Sequence, residues 1–125
     1  MANFVDGFVF PIKKVHLNTY RVIVPKVAEI WKSYGALDYF EHVYDDLAIE
    51  GTRRFDTLLS TSQDETVVFG WVTFESRESR DMAHKNVATD KKMADLVAPL
   101  MDSEQPIFDA KRMIYGGFKS MMLKK

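Results

Sequence analysis

The sequence predicts an α+β domain built on a four-stranded antiparallel sheet with helices on one face, and three observations carry that prediction. Four stretches follow the period of two that a strand requires, at residues 3–12, 37–47, 66–75 and 113–118. Stretches with helical spacing of apolar residues separate the first from the second and the third from the fourth. The 125 residues suffice for one domain with a real core and fall short of two comfortable ones, so residues 1–125 are read as a single unit. Hydrophobic residues at 46% and charged residues at 28% place the chain among ordinary globular proteins rather than disordered ones.

The first strand sets Phe4, Asp6, Phe8 and Phe10 on one face against Val5, Gly7 and Val9 on the other, and Pro11 closes it. Its small face is the one expected to receive a closely packed helix. That helix covers residues 15–34, where Leu17, Tyr20, Val24, Val27, Trp31 and Tyr34 recur every three or four positions before Gly35 stops it. Pro25 removes a backbone donor and crowds the preceding turn, which predicts a kink or a break near Ile23. In the second strand Leu37, Tyr39, Glu41 and Val43 oppose Asp38, Phe40, His42 and Tyr44, so neither face is cleanly apolar.

Residues 48–65 read as a long connection, with residues 55–59 briefly ordered against the body. The third strand opposes Val67, Phe69, Trp71 and Thr73 to Val68, Gly70, Val72 and Phe74, apolar on both sides as a mid-sheet strand should be. Ser76 is the expected N-cap of a helix reaching about Thr89, with Arg77 four residues ahead of Asp81 on its solvent face. Asp90 opens a further short helix carrying Met93, Leu96, Val97, Leu100 and Met101, which Pro99 is expected to distort or end. Residues 102–106 form a turn, the last strand holds Gly116 and Gly117 where another backbone or a ligand comes close, and residues 121–125 form a tail expected to fray.

Strand, helix, strand, strand, helix, strand is the split βαβ pattern of ferredoxin-like folds, with strand order 4-1-3-2. The first and third strands are then central, and they are expected to run parallel. The uncovered sheet face is expected to carry Phe4, Phe8, Phe69, Trp71 and Tyr115, a patch larger than a soluble monomer usually exposes. A second copy would cover it, giving a homodimer joined through its sheets.

Charge and composition exclude several classes. Seventeen basic against eighteen acidic residues leave no broad field for nucleic acid or anionic lipid, and the Arg53, Arg54, Arg77 and Arg80 pairs are each diluted by acids. The absence of cysteine rules out disulfides, thiolate metal sites and a cysteine nucleophile, and fits a reducing cytoplasm. No apolar run approaches the ~20 residues of a membrane helix, and the N-terminal stretch lacks the basic start of an export signal. Gly116 and Gly117 lack the lysine and hydroxyl residue of a phosphate loop.

FVDGFVFPI near the start, YGALDYFE followed by Asp45 and Asp46, the central VVFGWVTF and the closing FDAKRMIYGGFK together resemble the small bacterial YbaA-like family, over nearly the whole chain. That family is a domain of unknown function within the dimeric α/β-barrel superfamily. The chain departs from it at His42 and through residues 48–66. The resemblance implies a dimer whose two sheets close into a barrel. Superfamily relatives include cofactor-free monooxygenases, haem-degrading enzymes and stress-responsive barrel proteins, so fold alone cannot choose the function.

Asp6 and Glu41 are the first catalytic candidates, because a carboxylate on an apolar strand face must be paired or titrate abnormally. With both pointing into the barrel and Arg112 entering from the last strand, they would form a polar cluster in a chamber lined by Phe69, Trp71 and Tyr115. The bland alternative is a structural ion pair of Asp6 or Glu41 with Arg112 or Lys111. His42 is the third catalytic candidate, but strand alternation sets it opposite Glu41 and disfavours joint metal ligation. His16 and His84 are expected to face solvent. No metal and no cofactor is expected; haem would fall to His42 or His84, without an attachment motif. The function predicted is binding of a small, partly apolar molecule in the barrel. The alternatives are a cofactor-independent monooxygenase, in which Asp6, Glu41 or His42 deprotonates an aromatic substrate, and a structural dimer without a ligand.

Overall fold

Two ten-residue runs rich in β-branched and aromatic residues, FVDGFVFPIK and ETVVFGWVTF, set the frame. In the computed structural model, which describes residues 3–101 and 106–122, they are the strands β1 (Phe4–Lys13) and β3 (Glu65–Phe74), and shorter strands β2 (Asp38–Val43) and β4 (Ile114–Lys119) flank them. The sheet order is β2-β3-β1-β4, the ferredoxin-like arrangement, with every neighbouring pair antiparallel. The expected parallel pairing of β1 with β3 is therefore wrong. The helical crossover brings β2 back in the direction of β1, and β3 reverses from β2 to lie between them, so β3 opposes both.

Among the described residues four α-helices join the strands: α1 (Leu17–Ser33), α2 (Phe55–Leu58), α3 (Arg77–Ala88) and α4 (Lys91–Met101). α1 runs through Pro25 unbroken, and α4 runs through Pro99. Both prolines are exposed, so the one carbonyl that each leaves without a partner can turn to water while the apolar stripe on the other side holds the helix down. That stripe of α1 is the predicted one: Leu17, Tyr20, Val24, Val27, Trp31 and Tyr34 all pack on the core.

Pairing register sorts the strands into two faces. Asp6, Phe8, Phe10 and Ile12 of β1 lie beside Val72, Gly70, Val68 and Thr66 of β3, and Phe8 lies beside Tyr115 of β4. This is the face under the helices, where Phe10, Ile12 and Phe74 are at most 1% exposed. The large face of β1 is thus the covered one, contrary to the expectation that the small face receives the helix. Phe4, Phe8 and Tyr115 accordingly leave the open face, which instead carries Val5, Gly7 and Val9, Phe69 and Trp71, Phe40 and His42, and Ile114 and Phe118. One end of the open face is not bare. The long connection folds α2 back so that Leu59 buries against Val9 and Val67 while Phe55 meets Phe69. Residues 102–105 of the predicted turn at 102–106, and residues 123–125 of the tail, lie outside the described residues.

Candidate functional site

The RESRDMAHKNVA sequence of α3 offers few apolar residues, so its inward stripe has to include Arg80 and His84 beside Ala83 and Val87. Ser76 caps this helix reciprocally with Ser79, each side chain bonded to the other's backbone N–H at 3.0 and 3.1 Å. The stripe lands on Asp6, which is fully buried. Arg80 Nε–H donates to Asp6 Oδ1 at 2.6 Å, and His84 Nε2 lies 2.5 Å from Oδ2. The Tyr115 hydroxyl stands 2.9 Å from the same His84 nitrogen. With Nε2–H directed at the carboxylate, the tyrosine turns its own proton to Asp6. Burial pushes the Asp6 carboxyl up, but hydrogen bonds from Tyr115, Arg80 and His84, with the His84 charge, outweigh it and hold the group below its ordinary value. Gly117 explains one of the paired glycines: a Cβ there would stand 3.2 Å from Asp6 Oδ1 and 3.3 Å from Arg80 Nη2.

A second cluster forms across the sheet. Tyr20 of α1 and Tyr39 of β2 both donate their hydroxyl protons to Glu41, one to each carboxylate oxygen, the Tyr39 bond being 2.6 Å. Burial raises the Glu41 carboxyl above its ordinary value, and the two tyrosine bonds offset this only in part. The tyrosines are themselves pushed far up by burial and by the neighbouring carboxylate, so both keep their protons.

Between these clusters, under the helices, lies a cavity of about 220 Å³. Phe8, Phe10, Trp31, Val97, Leu100 and Phe108 form most of its wall, and Tyr20, Tyr39 and Tyr115 bring the two polar clusters to its edge. Trp31 also packs edge-on against the His84 ring, 5.0 Å between centroids.

The expected union of Asp6, Glu41 and Arg112 does not form. Asp6 and Glu41 do share the helix-covered face, but each has its own partners. Arg112 leaves both to donate to Glu65 at 2.6 and 3.1 Å and to the Leu59 and Ser60 carbonyls, tying the long connection to the start of β4. Neither Arg112 nor Lys111 supplies the ion pair foreseen for Asp6 or Glu41. Phe69 and Trp71 line a different depression, an open apolar groove of about 550 Å³ with Val5, Ile114 and Phe118; Tyr115 and Phe8 border both spaces. His42 sits on the open face, stacked on Trp71 at 4.9 Å, opposite Glu41 as alternation requires. Among the described residues no group of three or more His, Asp or Glu side chains is placed to hold a metal. Sequence reasoning missed Arg80 and His84, which it left in solvent, and the signal was the shortage of any other inward residues on α3.

The model of the family described as "Protein of unknown function (DUF1428)" matches residues 3–109. The chain belongs to the DUF1428 family. Its curated relatives include the uncharacterized protein YbaA of Escherichia coli K12, 34% identical over 119 residues, which cover 95% of this chain and 97% of the relative. The YbaA of Shigella flexneri matches to the same extent. Among solved structures, a NIPSNAP family protein of unknown function from Agrobacterium tumefaciens superposes with a TM-score of 0.58 at 15% identity, covering 95% of this chain and 88% of that one. The monooxygenase from the gene ActVA-Orf6 of Streptomyces coelicolor, solved with nanaomycin D, gives 0.57 at 16% identity, covering 99% and 92%. At these identities the DUF1428 chain shares with them the fold, and the expected YbaA-like resemblance and α+β ferredoxin-like class both hold.

Proposed function

We propose that the protein binds a small, largely apolar molecule in the cavity between its sheet and its helices, rather than between two sheets. The observation that carries this is the cavity itself: about 220 Å³ of space walled by aromatic and aliphatic side chains. The space opens to solvent on one side, so a small molecule can enter it, and its apolar wall gains by being covered. The side-chain polar groups at its edge have partners, so an occupant has only to fill apolar space. The two tryptophans make a test, since Trp31 lines the cavity and Trp71 the open groove. Titrating naphthalene into ¹⁵N-labelled protein is expected to shift the Trp31 indole resonance saturably and to leave Trp71 in place. Val97→Phe, which fills the cavity, is expected to abolish the shift. A folded protein whose Trp31 resonance does not respond would overturn the proposal.

The open sheet face supports a homodimer as part of this reading. Phe118 is 64%, Phe40 47%, Ile114 46% and Phe69 39% exposed on one side of the sheet, an area that a second copy would remove from water. No helix among the described residues is long and apolar enough to cross a membrane. Sedimentation equilibrium is expected to give a dimer and Phe118→Asp a monomer; a monomeric parent would remove this part.

A second reading, oxygenation without a cofactor, is favoured by the Asp6–His84 pair reaching the cavity through Tyr115. A phenol in the cavity would pass its hydroxyl proton by way of Tyr115 to that pair. The ring would then give four electrons to dioxygen, one oxygen atom becoming a ring carbonyl and the other leaving as water. Its fold is shared with the ActVA-Orf6 monooxygenase. Ligand-dependent oxygen uptake that disappears in His84→Ala, with binding retained, is the expected signature. Binding without oxygen uptake across a set of phenols would leave the binding function alone.

A further inference from the structure

Resting on the proposal that the cavity under the helices holds the ligand, we propose that this cavity selects apolar molecules that carry a hydroxyl or N–H donor, because Tyr20 and Tyr39 give both their protons to Glu41. A tyrosine hydroxyl has one proton and two lone pairs. Tyr20 and Tyr39 line the cavity, and each has committed its proton to a Glu41 oxygen. What remains for an occupant is oxygen lone pairs, so this edge of the cavity accepts hydrogen bonds and offers none. Tyr115 at the other edge behaves alike, its hydroxyl held by Asp6 and His84. Above the raised native value of Glu41 the effect is stronger still, since a hydroxyl that donates to a carboxylate becomes the better acceptor. An occupant with a donor meets a matching acceptor, whereas a carbonyl or ether oxygen would be desolvated against lone pairs with no bond in return. The ligand class is thus a compact apolar body with a phenolic, alcoholic or amine donor at its end.

Three probes of nearly one shape separate this inference from the reading beneath it: naphthalene, 2-naphthol and 2-methoxynaphthalene, followed at the Trp31 indole resonance. The expected order has 2-naphthol about tenfold tighter than naphthalene, from one hydrogen bond in a dry site, and 2-methoxynaphthalene no tighter than naphthalene. In Glu41→Gln the carboxamide N–H donates to one tyrosine oxygen and frees that hydroxyl's proton, so the methoxy compound is expected to gain and the naphthol advantage to shrink. Tyr39→Phe, which keeps the apolar wall, is expected to weaken naphthol preference while still binding naphthalene. Equal affinities of the naphthol and its methyl ether in the parent protein overturn the inference and leave the cavity reading intact. Failure of naphthalene itself to bind overturns both.

Discussion

Asp6→Asn is the substitution whose consequence follows most directly from the structure. Asp6 has no exposed surface and faces an arginine at 2.6 Å and a histidine at 2.5 Å. Removing one partner of a buried pair costs about 3–5 kcal/mol when the orphan stays dry. Here the Arg80 side chain is 25% exposed and has Asp81 at 3.0 Å to fall back on, which brings the expectation to about 2–3 kcal/mol. For a chain of this length that is a fall in Tm of about 8–12 °C. The pH dependence has a definite sign. The native Asp6 carboxyl lies below its ordinary 3.8, so its contribution is present above that value and is lost as pH falls through the lower native one. The gap between parent and variant in urea denaturation should therefore be full at pH 7 and narrow below about pH 4. A double-mutant cycle with Arg80→Met should return a coupling of at least about 1 kcal/mol. A Tm change smaller than about 4 °C with no measurable coupling would refute the claim that this pair pins α3 to the sheet.

Other outcomes follow from the same geometry. Gly70→Ala would place a Cβ 2.4 Å from Phe8 Cζ and 2.8 Å from the Phe40 carbonyl, whereas Gly117→Ala meets nothing nearer than 3.2 Å; thermal melts should show the first losing at least about 2 kcal/mol and the second about 1. Burial raises the Glu41 carboxyl, so its influence on stability is most favourable below the ordinary carboxylate range and fades as pH rises through the raised native value; Glu41→Gln should flatten that decline in urea midpoints from pH 4.5 to 8. Arg112 brings Glu65 down to about 2, so the pair contributes above pH 4.5 and is lost as pH falls towards 2; Arg112→Met should cost about 1–2 kcal/mol at pH 7, since the arginine is partly in solvent. The same variant should speed amide exchange at Leu59 and Ser60, whose carbonyls Arg112 holds.

Element order was legible because each strand and helix carries its own period: the α1 stripe from Leu17 to Tyr34, the Ser76 cap and the doubly apolar β3 all lie where the sequence places them. Which face of β1 the helices cover was not. Alternation separates Phe8 and Phe10 from Gly7 and Val9 but is silent on which set looks inward, and the choice turned on glycines that the pattern could not weigh. Gly70 must be bare for the Phe8 ring to cross it, and Gly117 for Arg80 to reach Asp6. That single error of side moved Phe4, Phe8 and Tyr115 to the wrong surface. The need of Asp6 for a partner was readable from its place among phenylalanines. The identity of the partner was hidden by a sequence separation of 74 between Asp6 and Arg80 and by two basic side chains, Arg80 and His84, that a charge count assigns to solvent. The tyrosine pair around Glu41 was hidden likewise, since Tyr20 reads as one more member of an apolar stripe until its hydroxyl is seen.

The central claim is that a ligand sits beneath the helices and not between sheets, and a heavy-atom label tests it most directly. Crystals of the protein soaked with 6-bromo-2-naphthol, measured at the bromine edge, should give an anomalous peak surrounded by Trp31, Val97 and Leu100, with the hydroxyl turned to Tyr20 or Tyr39. A peak confined to the open groove by Phe69 and Trp71, or no peak in a well-diffracting soaked crystal, would contradict the account.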